Sequence, residues 1–205
     1  MITVMEGELQ TLAGFPKRRS KLEILSREKP ALAATFFPKL ARSAFNCVGE
    51  VDRRDALGNI TTILREVISS DIQSLPFYSV WLRDMASIAK FYCAIEKSNT
   101  IRFWLGTNRG CKRYHIDNVP HRLLVTYYGK GTEWLPDDAV DRKAYEKGEP
   151  NEAIVTNPDA IQHIDEWNIA VFRGLSEGLL HRTPDDALRS HSVLMRLDHA
   201  NFGKN

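Results

Sequence analysis

The sequence lacks the features that mark several large classes of protein. Its 205 residues include three cysteines, Cys47, Cys93 and Cys111, a small and odd number that argues against a disulfide framework and favours a reducing compartment. No apolar run approaches the roughly 20 residues needed to span a bilayer. The first twelve residues carry Glu6 and Glu8 in place of the apolar stretch of a signal peptide. We therefore expect a cytoplasmic protein without a membrane partner.

A strong charge of either sign is absent as well. The 28 Lys and Arg against 26 Asp and Glu give a formal net charge of +2, which is too small to indicate nucleic acid as a partner. A Gly-x-Ser-x-Gly elbow, a Walker loop, a Cys-x-x-Cys pair and a Rossmann fingerprint are all missing. The sequence shows no internal repeat, and its length predicts a single domain over residues 1–205.

The pattern of apolar residues along the chain changes near residue 99. Residues 1–28 form a turn-rich lead-in with a basic stretch, and residues 29–98 carry apolar side chains at the spacings of three and four that predict helices. The clearest stripe, which we expect to face the core, is Trp81, Met85, Ile88, Ala89 and Tyr92. Cys47 and Cys93 lie among apolar residues and are expected to be buried.

Residues 99–205 consist of short segments of strand-forming residues bounded by Gly, Pro, Asp or Asn. Strands are predicted at 101–105, 113–117, 122–128, 153–155, 167–173, 178–182 and 192–198, with a short helix at 140–147. Many short strands at this spacing are typical of a sandwich or a jelly-roll barrel. We therefore predict an α+β fold with a C-terminal barrel and a helical region packed against its outside.

The strand predicted at 113–117 carries a His-x-Asp triplet, His115 and Asp117. Because side chains alternate along a strand, both would project from one face and could bind one ion. A second imidazole, His181, lies in a later predicted strand, and two histidines with one carboxylate leave open positions that suit non-haem Fe(II). An imidazole paired with a neighbouring carboxylate would give the same triplet without a metal. His191 is the replacement ligand if His181 is not one.

Cys111 is a further candidate ligand. On an unbroken strand it would share a face with His115, and a thiolate beside two imidazoles would favour zinc over iron. Gly110 precedes it and indicates that the strand has barely begun there.

The order of these features resembles the double-stranded β-helix oxygenases that use Fe(II) and 2-oxoglutarate. In that superfamily the His-x-Asp comes from an early barrel strand and the second histidine from a late one. A basic residue on the last strand binds the distal carboxylate of 2-oxoglutarate. The resemblance covers about residues 100–199 and implies a jelly-roll or cupin-like barrel in which His115, Asp117 and His181 hold Fe(II) and Arg196 binds 2-oxoglutarate.

The residue that would bind the distal carboxylate of 2-oxoglutarate, here called the cosubstrate clamp, has more than one candidate. Arg196 suits a carboxylate because its planar guanidinium donates two parallel, charge-assisted bonds. Alternation places Asp198 on the same face, so an ion pair between Arg196 and Asp198 is the open alternative. Arg189, in the preceding turn, is the second candidate for the clamp.

Other residues are candidates for the cofactor and substrate pocket. Those expected to line the barrel interior or its mouth are Arg122, Thr126 and Tyr128, which share a strand face, and Glu133 and Trp134, in the loop that follows. Arg122 would orient Asp117 or bind an anion, and a buried salt bridge is the alternative. For Glu133 and Trp134, the alternative to a substrate contact is an ordinary packed turn.

Longer phrases resemble an uncharacterised family of small bacterial proteins. These phrases are Cys111-x-Arg-Tyr-His-x-Asp-x-Val-Pro-x-Arg-Leu-Leu, Thr126-Tyr-Tyr-Gly-x-Gly-Thr-Glu-Trp-Leu-Pro, Ala170-Val-Phe-Arg-Gly and Gly178-Leu-Leu-His-Arg-Thr-Pro. That family brings no activity with it, but the resemblance implies a link with zinc homeostasis.

Several functional hypotheses follow. The first is an Fe(II)- and 2-oxoglutarate-dependent oxygenase of hydroxylase type, acting on an unknown small molecule or protein. The alternative is a non-catalytic barrel that binds Zn²⁺ in metal homeostasis. An iron oxygenase that needs no 2-oxoglutarate and a scaffold without metal also stay open. The helical region could cover the barrel, form the face of a homodimer, or close over the barrel mouth as a lid.

Overall fold

A computed structural model describes residues 6–203 of the chain. The helices are α1 Glu6–Leu9, α2 Ala33–Leu40, α3 Ala56–Arg65, α4 Ser70–Gln73, α5 Pro76–Ile95, α6 Arg142–Glu146, α7 Asn151–Ile154 and α8 Asp185–Arg189. The strands are β1 Leu22–Leu25, β2 Asn46–Asp52, β3 Thr100–Gly106, β4 His121–Tyr128, β5 Glu133–Trp134, β6 Gln162–His163, β7 Ile169–Arg173, β8 His181–Arg182 and β9 Val193–His199.

The strands form two antiparallel sheets. The larger sheet has six strands in the order β1-β7-β4-β9-β3-β2, and the smaller one has three in the order β6-β5-β8. Together with the helices, the large antiparallel sheet confirms the mixed α+β class that the sequence predicts.

Alternation along β4 divides the large sheet into two faces. Leu123, Val125 and Tyr127 are fully buried in the core that also contains the apolar side of α5. Arg122 and Leu124 alternate with them and lie on the opposite face. That second face supports a smaller apolar cluster, which contains Leu124, and it carries the site described below.

Helix α5 is the main element that covers the first face. Its first residue is Pro76, whose fixed φ suits the first helical position. All five members of the apolar stripe predicted from the sequence are fully buried: Trp81, Met85, Ile88, Ala89 and Tyr92. Cys47 and Cys93 are buried as well, so these predictions are confirmed.

The prediction of an entirely helical region at 29–98 is wrong, because β2 lies within it and pairs with β3 along seven residues. The lead-in at 1–28 likewise contains β1, which pairs with β7. Both segments form edge strands of the large sheet. The sheet is therefore not confined to residues 99–205, and strands from the first quarter of the chain complete it.

Two of the strands predicted in the second half are also wrong. At 113–117 the backbone makes a single bridge, between His115 and His181, and no continuous strand forms. At 153–155 the chain ends helix α7, and only Val155 pairs, with Val140.

No helix of residues 6–203 combines the length and the apolar character that a membrane span requires.

Candidate metal centre

The backbone places His115 beside His181. The amide of His115 donates to the carbonyl of His181 at 3.0 Å, and the amide of His181 donates back to the carbonyl of His115 at 3.1 Å. Directly paired residues of antiparallel chains project their side chains on the same side. The two imidazole centroids accordingly lie 4.4 Å apart.

Both imidazoles are held in the same orientation by their own backbone. Nδ1 of His115 lies 3.0 Å from the carbonyl oxygen of Arg113, and Nδ1 of His181 lies 3.1 Å from that of Leu179. Because a carbonyl can only accept a hydrogen bond, each Nδ1 is the protonated nitrogen. Both Nε2 atoms are then the ones available to a metal ion, an arrangement found at histidine ligands in general.

The carboxylate of Asp117 faces both Nε2 atoms. Its Oδ1 lies 3.5 Å from Nε2 of His115, and its Oδ2 lies 3.3 Å from Nε2 of His181. One ligand atom from each of the three residues lies within 4.8 Å of the other two. Adjacent ligand atoms of an octahedral ion with bonds near 2.1 Å are about 3 Å apart. The three side chains could therefore hold a metal ion with little movement.

The buried carboxylate is charged and incompletely satisfied. Burial raises the pKa of Asp117, but the adjacent imidazoles of His115 and His181 and the charge of Arg122 outweigh it, and the pKa lies well below its usual value. Oδ2 nevertheless has no partner in hydrogen-bond geometry within residues 6–203. A buried oxygen left in this state is uncommon, and a cation would satisfy it.

The neighbours of His115 favour its protonated form. Burial lowers the pKa of His115, but its hydrogen bonds to Asp117 and Cys111 outweigh this and raise the pKa to about 10. A metal ion would displace that proton, because a ligating imidazole must be neutral.

The loop after β7 fixes the backbone of Asp117. The amide of Leu175 donates to the carbonyl of Asp117 at 2.8 Å, and Leu175 itself has a φ of 60°. A Cβ at Gly174 would lie 2.3 Å from the carbonyl oxygen of Asp117 and 2.2 Å from that of Val119. Only glycine allows the loop to approach this closely.

Arg122 supports the carboxylate from the sheet. It is buried, its Nη1 lies 2.5 Å from Oδ1 of Asp117, and its Nε donates to Oδ1 of Asp198 at 2.6 Å. Of the two interpretations made from the sequence, the structure therefore shows an arginine that contacts Asp117 and is at the same time part of a buried salt bridge. Arg122 contacts Oδ1 of Asp117, while Oδ2 faces Nε2 of His181.

Arg196 lies next to this pair on β9. Its Nε is 2.9 Å from Oδ2 of Asp198, an ion-pair distance without hydrogen-bond geometry. The ion pair that the sequence left open is thus present, but it engages only one side of the guanidinium. The terminal nitrogens of Arg196 have no hydrogen-bond partner in the described part of the chain, and Trp104 packs against the guanidinium at 5.4 Å.

A cavity of about 120 Å³ lies beside the cluster. His115, His181 and Arg196 line it, and apolar walls come from the side chains Trp104, Leu124 and Leu194. The cavity therefore combines one side of the metal cluster, a cation able to bind a carboxylate, and an apolar surface between them.

Cys111 lies at the edge of this cavity and not in the ligand cluster. Its side chain is exposed, and a hydrogen bond with His115 lowers the pKa of the thiol. The three residues that meet the distance criteria of a metal cluster are His115, Asp117 and His181 alone among the described residues.

Several residues proposed for the pocket lie elsewhere. Arg189 is exposed at the end of α8. A β-bulge between Thr126 and Tyr128 shifts the register, so Tyr128 pairs with Val193 and packs against the helix-facing core. Tyr128 thus does not share the face of Arg122, which corrects the prediction. Thr126 is buried opposite Leu194 but does not line the cavity.

Glu133 and Trp134 form β5 and are not in a loop. Glu133 is buried, and its carboxylate accepts from Tyr114 Oη and from Nε of Arg182 at 2.7 Å. Trp134 pairs with His181 in the small sheet. Neither Glu133 nor Trp134 lines the cavity, so a substrate contact for them is a prediction that the structure does not favour.

Sequence reasoning missed Tyr114, Arg182 and Arg109. The first two flank His115 and His181 in the chain, and their contacts with Glu133 tie β5 to β8 beside the metal ligands. Their positions next to the ligands were the available signal. Arg109 lines the cavity from a loop, and its place follows from no pattern in the sequence.

Comparison with known proteins gives a family and a distant structural likeness. The sequence model of a family described as "Protein of unknown function (DUF1826)" matches residues 7–198. None of the curated proteins matches in sequence.

Three solved structures are similar to the chain, each at 10% identity. The Fe(II)/(alpha)ketoglutarate-dependent dioxygenase TqaL, selenomethionine-labelled, has a TM-score of 0.46 over 94% of this chain and 86% of its own. The dioxygenase for auxin oxidation of rice has a TM-score of 0.48 over 94% and 78%. The dioxygenase for auxin oxidation 1 of Arabidopsis thaliana, in a complex with 2-oxoglutarate, has 0.40 over 98% and 92%. A likeness at this level carries no conclusion about activity.

Proposed function

Since the chain belongs to the DUF1826 family, which is described as a protein of unknown function, we propose its activity from its own site: it is an Fe(II)- and 2-oxoglutarate-dependent oxygenase of hydroxylase type. The single observation that carries the proposal is the meeting of His115, Asp117 and His181, with both Nε2 atoms directed at one carboxylate. Two histidines and one carboxylate with open positions are the ligand set of non-haem Fe(II) oxygenases.

The residues fit the metal in three respects. Both histidines have their Nδ1 atoms engaged by carbonyl groups, which leaves Nε2 as the donor. Oδ2 of Asp117 is buried without a hydrogen bond. Arg122 holds the other oxygen of that carboxylate, so the ligand oxygen has a fixed direction. We therefore assign His115, Asp117 and His181 as the residues that would hold Fe(II).

The cavity fits the cosubstrate. 2-Oxoglutarate carries a carboxylate at each end of a short carbon chain, and Arg196 lines the cavity with a buried Nε that makes no hydrogen bond within residues 6–203. Arg196 would bind the distal carboxylate, while Leu124, Leu194 and Trp104 would contact the methylene groups. The apolar walls would also keep water from the site.

When bound, Fe(II) supplies the oxidation of a C–H bond, in which substrate, 2-oxoglutarate and O₂ give hydroxylated substrate, succinate and CO₂. The protein orients the bound molecules and keeps water out of the site. Phe172 packs against the His181 ring at 4.7 Å, and Asp198 joins Arg122 to Arg196, so the metal ligands and the cosubstrate clamp are positioned by one network.

The same proposal extends to the fold. The large sheet, with the ligands at its second face, and the small sheet, which contributes His181 on β8, would correspond to the two sheets of a double-stranded β-helix. The pairing of His115 with His181 joins the His-x-Asp segment to the small sheet.

Anaerobic addition of Fe(II) and 2-oxoglutarate tests the proposal. We expect a weak visible charge-transfer band in the wild-type protein and its loss in His115→Ala, Asp117→Ala and His181→Ala. His191→Ala is the matched control, because His191 is exposed and lines a separate cavity, and it should keep the band. A wild-type protein that binds Fe(II) but shows neither the band nor succinate formation would refute the assignment.

A second pair of variants tests the clamp. Arg196→Ala should weaken 2-oxoglutarate binding at least tenfold and leave Fe(II) binding unchanged. Arg189→Ala, at an exposed position, should change neither. Normal cosubstrate affinity in Arg196→Ala would remove Arg196 from its role.

A zinc-binding protein without turnover is the second candidate, and Cys111 is the observation that favours it. Cys111 lines the same cavity as His115 and His181, and His115 lowers the pKa of its thiol, so a soft ligand that zinc prefers lies beside the cluster. Stoichiometric Zn²⁺ whose affinity falls in Cys111→Ser, with no 2-oxoglutarate-dependent O₂ uptake, would establish this alternative.

A further inference from the structure

The cavity beside the metal cluster is lined by several arginines, and one of them differs from the rest in its partners. Four arginines contribute to its wall: Arg109, Arg122, Arg182 and Arg196. Four carboxylates contact them, those of Asp117, Glu133, Asp185 and Asp198. These carboxylates contact Arg122, Arg182 and Arg196, and none within residues 6–203 contacts Arg109.

Three of the four arginines have carboxylate contacts. Arg122 lies between Asp117 and Asp198. Arg182 donates to the carboxylate of Glu133 through Nε at 2.7 Å and through Nη2 at 3.2 Å. Arg196 contacts Asp198 through Nε and is assigned above to 2-oxoglutarate.

Arg109 differs from the others. It is half-buried in the loop after β3, where its Nη1 donates to the carbonyl of Lys130 at 3.2 Å and its Nη2 to the hydroxyl of Thr132 at 3.3 Å. No carboxylate among residues 6–203 forms an ion pair with it. Burial lowers the pKa of Arg109 to about 10, which leaves the group charged at neutral pH while its solvation is reduced.

The contacts of Arg109 leave much of its donor capacity unused. A guanidinium has five N–H donors, and two of them are engaged by Lys130 and Thr132. The Nε–H has no acceptor in the described chain, so an edge of the guanidinium is available to an incoming group. The neutral acceptors at Lys130 and Thr132 fix the side chain without cancelling its charge.

Arg109 is also close enough to the metal ligands to act on a substrate. Arg109, Cys111 and the metal ligands His115 and His181 line the same cavity. Arg196 lies on β9, so the two arginines reach the cavity from different elements.

We propose that Arg109 is a specificity-determining residue that binds the acidic group of the primary substrate, so that the substrate is a small carboxylate or phosphate ester. That the bound anion is a substrate rests on the proposed oxygenase function. The anion site itself depends only on Arg109. With Arg196 occupied by 2-oxoglutarate, Arg109 is the cation without a carboxylate partner that faces the same cavity.

Anion titration tests the proposal, with sulfate as a tetrahedral oxyanion that leaves Fe(II) in solution and propionate as a carboxylate. Each probe is added anaerobically to protein saturated with Fe(II) and 2-oxoglutarate, and binding is followed by the shift of the charge-transfer band. A second arm uses the metal-free protein and follows the midpoint of thermal unfolding. Preference for sulfate would indicate a phosphate ester, and preference for propionate a carboxylic acid.

We expect at least one probe to bind the wild-type protein and to bind Arg109→Gln at least tenfold more weakly. Arg109→Lys, which keeps the charge, should recover part of the affinity, and the exposed Arg65→Gln should behave as wild type. Before a probe is added, the charge-transfer band and the 2-oxoglutarate affinity of Arg109→Gln should equal those of the wild type.

Failure to bind either probe, or equal affinities of Arg109→Gln and wild type, would overturn the proposal, as would loss of 2-oxoglutarate binding in Arg109→Gln. Failure of the oxygenase function is a separate result. It would appear as a missing band in the wild type, while an Arg109-dependent rise of the unfolding midpoint in the metal-free arm would still support the anion site.

Discussion

Among single side chains, Arg122 connects the metal ligands with the rest of the site. It is buried, and its guanidinium lies between the carboxylates of Asp117 and Asp198 at 2.5 Å and 2.6 Å. A buried charge that loses its partner costs far more than the pair contributes when intact. The geometry of Asp117 therefore depends on a residue that need not touch the metal.

Arg122→Gln tests this dependence. It would remove the cation that two buried carboxylates share, and we expect the free energy of unfolding to fall by about 3–5 kcal/mol. Urea denaturation measures the change. Arg65→Gln removes an exposed cation and should change the value by less than about 0.5 kcal/mol; equal effects of the two variants would contradict the assigned role.

The cysteines give a prediction from their pKa values. Burial raises the pKa of Cys47 and of Cys93 to about 11, so both stay protonated and shielded at pH 8, whereas the pKa of Cys111 is lowered by its hydrogen bond to His115. Because the thiolate is the nucleophile, brief treatment of the native protein with iodoacetamide should label Cys111 alone. Mass spectrometry of peptides identifies the site, and labelling of Cys47 or Cys93 before Cys111 would refute the prediction.

At the residue scale, the chemical role of a side chain was easier to predict from the sequence than the residues that it contacts. His115 and Asp117 are two residues apart, so their proximity follows from chain connectivity although no strand forms at 113–117. Tyr128 shows the limit, because a β-bulge reverses its face and alternation alone does not reveal a bulge. Arg109 shows another, since its position depends on contacts with a distant loop.

Among the elements, the loop after β7 is as important to the site as the strands. Gly174 brings its backbone against the carbonyl groups of Asp117 and Val119, and the next amide donates to Asp117. The metal ligand is thereby fixed by a loop on one side and by the sheet on the other.

Gly174→Ala should push this loop away from Asp117. The added Cβ would meet backbone atoms at 2.2 Å and 2.3 Å, and overpacking of this kind costs about 1–3 kcal/mol. We expect a loss of stability in urea and weaker Fe(II) binding. Gly7→Ala is the control, because a Cβ there has no neighbour within 4 Å; equal behaviour of the two variants would show that the close approach is unimportant.

The elements were only partly predictable. Helix α5 has an uninterrupted apolar stripe, and β3, β4, β7 and β9 are short apolar segments between turns, so local patterns were sufficient for them. β2 was missed because it contains Gly49, where a Cβ would lie 2.3 Å from Ile63. The side chain of Ile63 on α3 packs against this glycine, and glycine weakens the strand pattern.

For the whole molecule, the two faces of the large sheet have separate tasks. On the helical face, Arg27 donates to Asp84 at 2.7 Å and Tyr127 donates to the same carboxylate at 2.8 Å. These contacts join the segment after β1, helix α5 and strand β4. The opposite face carries the metal cluster. β1 and β2 complete the two edges of the sheet. The pairing of β1 with β7 spans more than a hundred residues, so local sequence patterns do not reveal it.

Arg27→Met tests whether the two faces of the large sheet are independent. It would leave Asp84 buried without its cation, and the free energy of unfolding should fall by about 3–5 kcal/mol. Combination with Asp84→Asn should recover part of the loss, because the charge is then removed as well. Fe(II) affinity, measured where each variant is folded, should equal that of the wild type; a parallel loss of affinity would show that the two faces are coupled.

The most direct measurement is a crystal structure of the protein grown with Mn²⁺ in place of Fe(II), with anomalous difference density used to locate the metal. The account predicts one strong peak at about 2.2 Å from Nε2 of His115, Nε2 of His181 and a carboxylate oxygen of Asp117. A protein without such a peak, or with its metal bound elsewhere, would contradict it.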